Sequence, residues 1–208
     1  MIIKSLAVGP IMANCYIVGC EETLEAAVID PGDEAERILQ VAAGSNLRLK
    51  YILNTHGHFD HVGANRQVKE ATGAELLIHR LDAPMLDQLS TMASGFGLSA
   101  ENSPPPDRML EGGETISFGT IDMEVIHTPG HSPGGVTFFA NGSVFVGDTL
   151  FAGSIGRTDF PGGDFNTLIS SIQKRLFVLG DSVKVYPGHM DKTTIGQERR
   201  FNPFAAER

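Results

Sequence analysis

The sequence predicts an α+β fold in which two β-sheets pack face to face and helices cover their outer sides. Short apolar segments bounded by Gly, Pro, Asn or Asp occur throughout the chain, and segments of helical periodicity lie among them. Each half of the chain holds strands followed by helices, and this order is typical of packed layers of secondary structure. With 208 residues, the chain is long enough to bury a core without disulfides or other covalent links.

The first half is predicted to begin with a β-meander and to continue with helices and buried strands. Three short apolar runs separated by turns fill residues 2–29. Asp33 and Glu36 resemble a capping box at the start of a helix that stops at Gly44. The remaining elements predicted here are a strand at 49–53, a helix at 64–71, a strand at 76–78 and a helix at 81–92.

The second half follows a Gly-, Ser- and Pro-rich segment at residues 95–106, which is the best candidate for a linker. Strands are predicted at 114–118, 121–127, 136–140, 143–146 and 183–186, and Asn141-Gly142 is typical of a two-residue hairpin turn. A helix capped by Asp164 precedes the last strand. We therefore predict one domain over residues 1–208 with two pseudo-halves, about 1–105 and 106–208.

Composition argues against several classes of partner. Sixteen basic and 25 acidic residues give a net charge of −9, which repels phosphate backbones and anionic lipid surfaces. We therefore expect neither nucleic acid nor a membrane as partner. Cys15 and Cys20 lie in apolar surroundings and are expected to be buried free thiols. The N-terminal residues lack a secretory signal pattern, and we expect a cytoplasmic protein.

The strongest chemical signal is a cluster of ligand-type residues directly after the strand predicted at 49–53. Three histidines and one aspartate, His56, His58, Asp60 and His61, fall within six residues. Imidazoles packed so densely would repel one another or stay unsatisfied without a cation. Imidazole and carboxylate ligands suit a borderline ion such as zinc. Successive positions point in different directions, so His56 and His58 can share one ion while Asp60 and His61 face a second.

Three further ligand-type residues repeat one local arrangement. His131, Asp148 and His189 each follow an apolar strand and a glycine. We expect these strand ends to lie at the same end of the sheets, where their side chains would meet the histidine cluster. An aspartate between two cations can bridge them with its two oxygens, and Asp148 is the candidate for that position.

His-x-His-x-Asp-His, followed by a lone His, a Gly-Asp and a Gly-His, resembles the metallo-β-lactamase superfamily between about Asp30 and His189. The resemblance implies a four-layer αββα sandwich with the site at one edge. It also implies that His56, His58 and His131 hold a first metal, that Asp60, His61 and His189 hold a second, and that Asp148 bridges them. Two divalent ions are therefore the expected cofactors, zinc first, with iron or manganese as alternatives.

Within that superfamily the chain resembles the short bacterial branch of the glyoxalase II (hydroxyacylglutathione hydrolase) group. The similar segments are 147–151, 156–159 and the tail at 194–204. The resemblance implies a metal-dependent hydrolase that cleaves a thioester, S-lactoylglutathione first, through a hydroxide that bridges the metals, with Asp60 orienting that hydroxide. The implied partner is a small glutathione-derived thioester. Longer members carry a basic helical extension that binds glutathione, which this chain is expected to lack.

A persulfide dioxygenase is the main alternative. That sister group also carries Gly-Arg-Thr-Asp after its metal aspartate, and the resemblance implies one iron held by His56, His131 and Asp148. A nuclease of the same fold would need a basic groove, which the net charge disfavours. A β-lactamase would normally carry an export signal. A structural zinc site needs only four ligands, fewer than the seven available.

Two residues outside the ligand set are weaker candidates for the site. Asp30 could accept a hydrogen bond from a ligand imidazole, although Asp-Pro-Gly is also an ordinary turn. Arg157 could bind a substrate carboxylate, and an internal ion pair with Asp159 is an equal alternative. His127 and His79 are expected to serve packing.

Overall fold

A computed structural model of the chain describes residues 1–206 and contains four layers of secondary structure. Two six-stranded sheets face each other, and helices cover the outer face of each sheet. This arrangement confirms the predicted α+β sandwich. Among the described residues, no helix combines the length and the apolar character needed to cross a membrane.

After three initial strands, helices and single strands alternate; seven strands then follow in a row, and the last part of the chain has a helical segment, two short strands and a final helix. The strands are β1 (Ile2–Val8), β2 (Ala13–Gly19), β3 (Glu25–Ile29), β4 (Arg48–Leu53), β5 (Glu75–His79), β6 (Arg108–Leu110), β7 (Thr115–Phe118), β8 (Ile121–His127), β9 (Val136–Ala140), β10 (Ser143–Gly147), β11 (Leu150–Phe151), β12 (Ser154–Ile155), β13 (Lys184–Pro187) and β14 (Thr193–Thr194). The helices are α1 (Ala35–Gly44), α2 (Phe59–Val62), α3 (Asn65–Thr72), α4 (Leu89–Ser94), α5 (Phe165–Ser171) and α6 (Ile195–Phe201).

The first sheet has the order β1-β2-β3-β4-β5-β6. Its first three strands form the predicted antiparallel meander, and β3 to β6 pair in parallel through helical crossovers. Because its strands are covered on both faces, β2 alternates between two apolar environments: Cys15 and Ile17 face the helices, whereas Tyr16 and Val18 face the second sheet.

The second sheet has the order β14-β13-β10-β9-β8-β7. Strands β7 to β10 are antiparallel neighbours, whereas β10 and β13 are parallel. Strands β8, β10 and β13 therefore run in the same direction and end at the same edge of the sandwich. Strands β11 and β12 form a separate short hairpin beside that edge.

Three apolar clusters hold the layers together. The central cluster joins Leu53 and Leu77 of the first sheet to Phe138 and Phe145 of the second. The outer clusters join α1, α3 and α4 to the first sheet and α5 and α6 to the second. Burial of these side chains at about 25 cal/mol per Å² of apolar surface is the main stabilising contribution.

Two predicted local features are confirmed. Asn141 and Gly142 connect β9 to β10 with φ values of 47° and 70°, which is the backbone of a type I′ turn. The Asp164 carboxylate accepts a hydrogen bond from the Thr167 amide and caps α5. Both cysteines are buried free thiols, as expected.

The predicted capping box at Asp33 is wrong. Helix α1 starts at Ala35, and the preceding Glu34 has a left-handed backbone with φ 54°. The Asp33 carboxylate instead accepts a hydrogen bond from the adjacent Glu34 amide. A short acidic side chain that bonds its own turn in this way competes with the helix cap, which the sequence pattern does not reveal.

The predicted helix at 81–92 is also only partly right, because a 3₁₀ segment (Ala83–Gln88) precedes α4. The segment at 95–106 has no regular structure, as expected, but it is tied to the first half, since Ser103 donates its amide to Leu86. Strand β6 follows it and completes the first sheet. The pseudo-half boundary near residue 105 stays a prediction.

Candidate metal centre

One turn and the short helix α2 carry the His-Asp cluster to one edge of the sandwich. Strand β4 ends at Leu53, and the chain then turns through residues 54–58 into α2. His56 lies in the turn, and His58 directly precedes α2. Asp60 and His61 occupy the short helix itself. The backbone changes from extended at His58 to helical in α2, and the rings of His56 and His61 lie side by side with centroids 4.2 Å apart.

The other three candidate ligands come from the second sheet. His131 lies in the loop between β8 and β9, Asp148 directly follows β10, and His189 lies two residues beyond β13. The parallel pairing of β10 and β13 continues past the strands, because the Gly188 amide donates to the Gly147 carbonyl over 2.8 Å. Asp148 and His189 are therefore neighbours, as strand direction predicts.

Glycine is required next to two of these ligands. A Cβ on Gly188 would overlap Asp148 Oδ1 and lie 2.7 Å from His61 Cε1. Gly147 has φ +50°, and a Cβ there would overlap the Thr55 hydroxyl. The glycines before Asp148 and His189 therefore have a steric cause, since the backbone passes directly against Thr55 at Gly147 and against the ligands at Gly188.

Among the described residues, the side chains form three groups of three donors, in each of which the donor atoms lie within 4.8 Å of one another. One of them, Asp30, His56 and His61, shares a histidine with each of the other two. The first donor set is His56, His58 and His131, and the second donor set is Asp60, His61 and His189. In the second set, His61 Nε2 lies 3.3 Å from His189 Nε2, and Asp60 Oδ2 lies 3.2 Å from the same nitrogen. Five of the seven histidines of the chain thus converge here.

Asp148 lies between the two donor sets. Its Oδ1 atom is 3.4 Å from His61 Nε2, and its Oδ2 atom is 3.6 Å from His131 Nε2 and 3.7 Å from His189 Nε2. Oδ2 therefore lies between one histidine of each set, and Oδ1 faces the second set, so the carboxylate is placed to contact ions on both sides.

Hydrogen bonds behind the rings orient the histidines. His131 Nδ1 lies 2.7 Å from the Arg157 carbonyl oxygen, which can only accept, so Nδ1 donates and Nε2 is turned toward the cluster, 2.9 Å from His58 Nδ1. His56 Nδ1 lies 3.0 Å from the Thr55 hydroxyl, which itself donates to Asp30. His56 Nε2 is therefore free to accept a cation. Such backing is usual for metal-binding histidines.

The cluster is electrostatically unbalanced without a cation. Burial and the neighbouring imidazoles lower the pKa of His56, and burial followed by His131 lowers the pKa of His58 to about 4. Burial would also lower the pKa of His61, but the carboxylates of Asp60, Asp148 and Asp30 outweigh it and raise the pKa to about 10. One proton is thus held where the carboxylates converge.

Two buried polar atoms show that a cation fits. Within residues 1–206, His56 Nε2 and Asp148 Oδ1 are buried and lack a hydrogen-bond partner. Unsatisfied polar atoms in the interior are costly, and native structures rarely leave them so. Both atoms face the space between the donor sets. Neutral imidazoles and ionised carboxylates suit a divalent cation such as zinc or iron.

Asp30 lies behind this cluster rather than at its centre. It is buried, has a left-handed backbone with φ 51°, and accepts hydrogen bonds from the Thr55 amide and hydroxyl. Asp30 Oδ2 also lies 3.1 Å from His61 Nδ1. The structure thus brings Asp30 against a candidate ligand, and its contribution to metal binding stays a prediction.

Asp82 was not identified from the sequence, although it connects the two loops of the first donor set. Its fully buried carboxylate accepts hydrogen bonds from the Gly57 amide, the Ser132 hydroxyl and the Gly134 amide at 3.0, 2.7 and 2.6 Å. Gly57 lies between His56 and His58, and Ser132 follows His131. In the sequence, Asp82 before Ala-Pro is indistinguishable from an ordinary helix cap.

Tyr16 and Asn14 of β2 were also missed. The Tyr16 hydroxyl donates to the Pro187 carbonyl over 2.6 Å, and Asn14 Nδ2 donates to the Pro187 and Met190 carbonyls. These bonds hold the turn that carries His189 against the first sheet. No local signal could have revealed them, because they join residues more than 170 positions apart.

Arg157 lies at the mouth of the site but is engaged elsewhere. Its Nε and Nη2 atoms each lie 2.7 Å from an Asp159 oxygen, and its guanidinium stacks 3.8 Å above the Phe160 ring. The structure therefore contains the ion pair that the sequence left open. His79 and His127, expected to serve packing, stack on each other with ring centroids 4.3 Å apart.

A four-layer sandwich with two His/Asp donor sets at one edge is the architecture of a metal-dependent enzyme. The chain belongs to the metallo-beta-lactamase superfamily, which it matches over residues 8–189. This membership confirms the family resemblance that the sequence motifs predicted.

Several relatives and solved structures are similar over nearly the whole chain. The hydroxyacylglutathione hydrolase GloC of Haemophilus influenzae is 43% identical over 98% of both chains. The BLEG-1 B3 metallo-beta-lactamase has a TM-score of 0.93 at 35% identity, covering 99% of this chain and 100% of its own. TTHA1623 in a di-iron-bound form has a TM-score of 0.89 at 42% identity, covering 97% and 99%. ETHE1 from Myxococcus xanthus has a TM-score of 0.83 at 31% identity, covering 99% and 85%.

Proposed function

We propose that the protein is a binuclear metal-dependent thioester hydrolase that acts on S-(2-hydroxyacyl)glutathione, S-lactoylglutathione first. The observation that carries the proposal is the position of Asp148, whose carboxylate lies within 3.7 Å of His131 of the first donor set and of His61 and His189 of the second. The similarity to a hydroxyacylglutathione hydrolase across nearly the whole chain supports the same substrate class.

The first donor set would hold one ion, the second donor set a second ion, and Asp148 would contact both. Two adjacent divalent ions supply Lewis-acid charge and lower the pKa of a water molecule to about 7. Zinc is our first choice, and the di-iron form of a structure 42% identical to this chain makes iron the main alternative.

The residues around this centre have separable tasks. Burial alone would raise the pKa of Asp60, but the nearby rings of His61 and His189 lower it below its usual value, so the carboxylate is ionised at neutral pH. The Asp60 carboxylate is thus able to accept a hydrogen bond from the attacking water and to orient it. Asp30 keeps the His61 ring in place through Nδ1, and the Arg157 carbonyl does the same for His131.

Thioester chemistry suits a site without a separate general acid. Attack of water oxygen on the carbonyl carbon is followed by cleavage of the carbon–sulfur bond, and the sulfur leaves as a thiolate. Because thiols have a pKa of about 8.5, the thiolate departs without prior protonation. The strong acid–base side chains of this site are already committed to the donor sets, and the reaction does not need another.

Metal analysis paired with an S-lactoylglutathione assay tests the proposal. We expect about two ions per chain, turnover that a chelator removes and added zinc or iron restores, and loss of turnover in Asp60→Ala with the first donor set still loaded. Well-folded protein with neither bound metal nor turnover would refute the assignment.

A mononuclear-iron persulfide dioxygenase is the second candidate, since the mitochondrial persulfide dioxygenase ETHE1 of Bos taurus is 35% identical over 90% of this chain and 69% of its own. His56, His131 and Asp148 would then hold one iron. One iron per chain, with oxygen uptake on glutathione persulfide and no thioester cleavage, would establish this activity instead.

A further inference from the structure

An apolar cavity of about 770 Å³ opens directly above the metal centre. Five candidate ligands form its floor. Apart from them, the lining consists of apolar side chains together with Gln88, Ser154 and Arg157. A cavity of this size and composition is typical of a small-molecule site that encloses a large apolar group.

An aromatic row forms one wall of this cavity. Phe59 and Phe96 have ring centroids 5.5 Å apart, and Phe96 and Phe160 are 6.1 Å apart in an edge-to-face arrangement. Phe160 in turn lies 5.5 Å from the ring of His58. The row therefore extends from the metal centre to the surface, where Phe96 is 53% exposed. Exposed aromatic surface beside a catalytic centre indicates a place for ligand rather than for core packing.

Apart from the proposed metal ions, the cavity offers little positive charge to a substrate. Arg157 is the only Lys or Arg side chain among the lining residues, and its charge is paired with Asp159 through Nε and Nη2. Glutathione carries carboxylates at both ends, and their burial without a partner would be costly. The glutathione ends are therefore best accommodated outside the cavity, in water, which leaves the apolar interior for the acyl group.

We infer that this cavity selects thioesters by the size of an apolar acyl group, and that an aryl 2-hydroxyacyl group is a better substrate than lactoyl. This inference rests on the proposed hydrolase function and adds the class of acyl group. A lactoyl methyl group would leave most of the aromatic wall uncovered, whereas a phenyl group can stack against Phe96 and Phe160. Each additional buried carbon contributes favourably to transition-state binding.

A matched pair of substrates tests the inference, because S-mandeloylglutathione differs from S-lactoylglutathione only by phenyl in place of methyl. We expect kcat/KM to be about tenfold or more higher for the mandeloyl thioester. Hydrolysis of both thioesters with equal or better rates for lactoyl would overturn the inference and leave the proposed function intact.

A substitution in the cavity shows whether the preference for the mandeloyl thioester comes from binding in the cavity or from the intrinsic reactivity of that thioester. Phe96→Ala should lower the mandeloyl-to-lactoyl ratio of kcat/KM several-fold. Phe204→Ala is the matched control, because Phe204 is equally exposed at 51% but lies outside the cavity lining. Its ratio should match that of the unmodified protein. An unchanged ratio in Phe96→Ala would show that reactivity alone sets the preference, and would contradict the inference.

Binding of stable thioethers gives a readout that does not need catalysis. Calorimetry with the metal-loaded protein, which cannot hydrolyse thioethers, should show S-benzylglutathione binding about tenfold more tightly than S-methylglutathione, and Phe96→Ala should remove this difference. Equal affinities would overturn the inference even if no thioester is hydrolysed. Absence of hydrolysis together with selective benzyl binding would refute the proposed function and retain the apolar specificity of the cavity.

Discussion

His131 Nε2 lies 2.9 Å from His58 Nδ1, although the two residues are 73 positions apart in the chain. One ring comes from the loop after β8 in the second sheet and the other from the turn after β4 in the first. The contact therefore exists only when the two sheets are packed against each other. A cation held between these rings would join the two sheets, so metal binding and folding should be coupled.

Removing one histidine from either donor set should remove the ion that this set would hold. We expect His131→Ala and His189→Ala each to lower metal content from about two ions per chain to about one. Elemental analysis after dialysis measures this. His127→Gln is the control, because His127 ends β8, four residues before His131, and lies outside both donor sets. Glutamine can still donate a hydrogen bond to the Pro133 carbonyl, so this variant should keep both ions. Full metal content in both alanine variants would contradict the two-set assignment.

The Asp82 carboxylate should control metal affinity without touching the metal. In Asp82→Asn, the asparagine at this position has only one acceptor oxygen and cannot accept all three hydrogen bonds that the two loops donate. The loop with His56 and His58 and the loop with His131 should therefore lose their alignment. Substitution of a residue that hydrogen-bonds the metal-binding loops typically lowers metal affinity by about 10–100-fold. Competition with a chelator measures the metal affinity. Asp122→Asn, which alters an exposed carboxylate bonded to Ser117, should leave the affinity unchanged.

Gly188 should tolerate no side chain. Gly188→Ala would place a methyl group against Asp148 Oδ1 and His61, so we expect loss of metal and of turnover. Gly44→Ala is the matched control, because a Cβ on that residue at the end of α1 meets nothing within 4 Å. Thermal unfolding and metal content of both variants check this. Retention of both ions in Gly188→Ala would show that the turn can shift.

Stability of the metal-free protein should depend on pH through His61. Its pKa is raised to about 10 in the fold, so its contribution is fully present below the unfolded value of about 6.5 and is lost as pH rises toward 10. Because the folded state holds one more proton than the unfolded state in this interval, the free energy of unfolding should fall by about 1.4 kcal/mol per pH unit. Denaturant unfolding between pH 6 and 10 measures this free energy.

His61→Gln provides the comparison for this pH dependence. The difference in unfolding free energy between the unmodified protein and His61→Gln should be largest near pH 6 and should shrink as pH increases. With metal bound, the dependence should disappear, because the cation replaces the proton between the same carboxylates. A difference that stays constant from pH 6 to 10 would show that His61 is not protonated in the metal-free fold.

Local patterns in the sequence were sufficient for much of the fold. The alternation of apolar residues predicted most strands, and Asn141-Gly142 and Asp164 predicted a turn and a cap that the structure contains. The predicted cap at Asp33 failed because its carboxylate bonds the adjacent amide, a choice between two local hydrogen bonds that sequence does not distinguish.

The sequence by itself determined which residues carry donor atoms and that they follow strand ends, because ligand chemistry and strand periodicity are local properties. Only the tertiary structure decided how they are supported: that Asp82 joins two loops, that Tyr16 holds the His189 turn, and that Arg157 is paired with Asp159. These contacts join loops and sheets whose relative positions depend on packing across the whole core, and such distances are not encoded in any short segment.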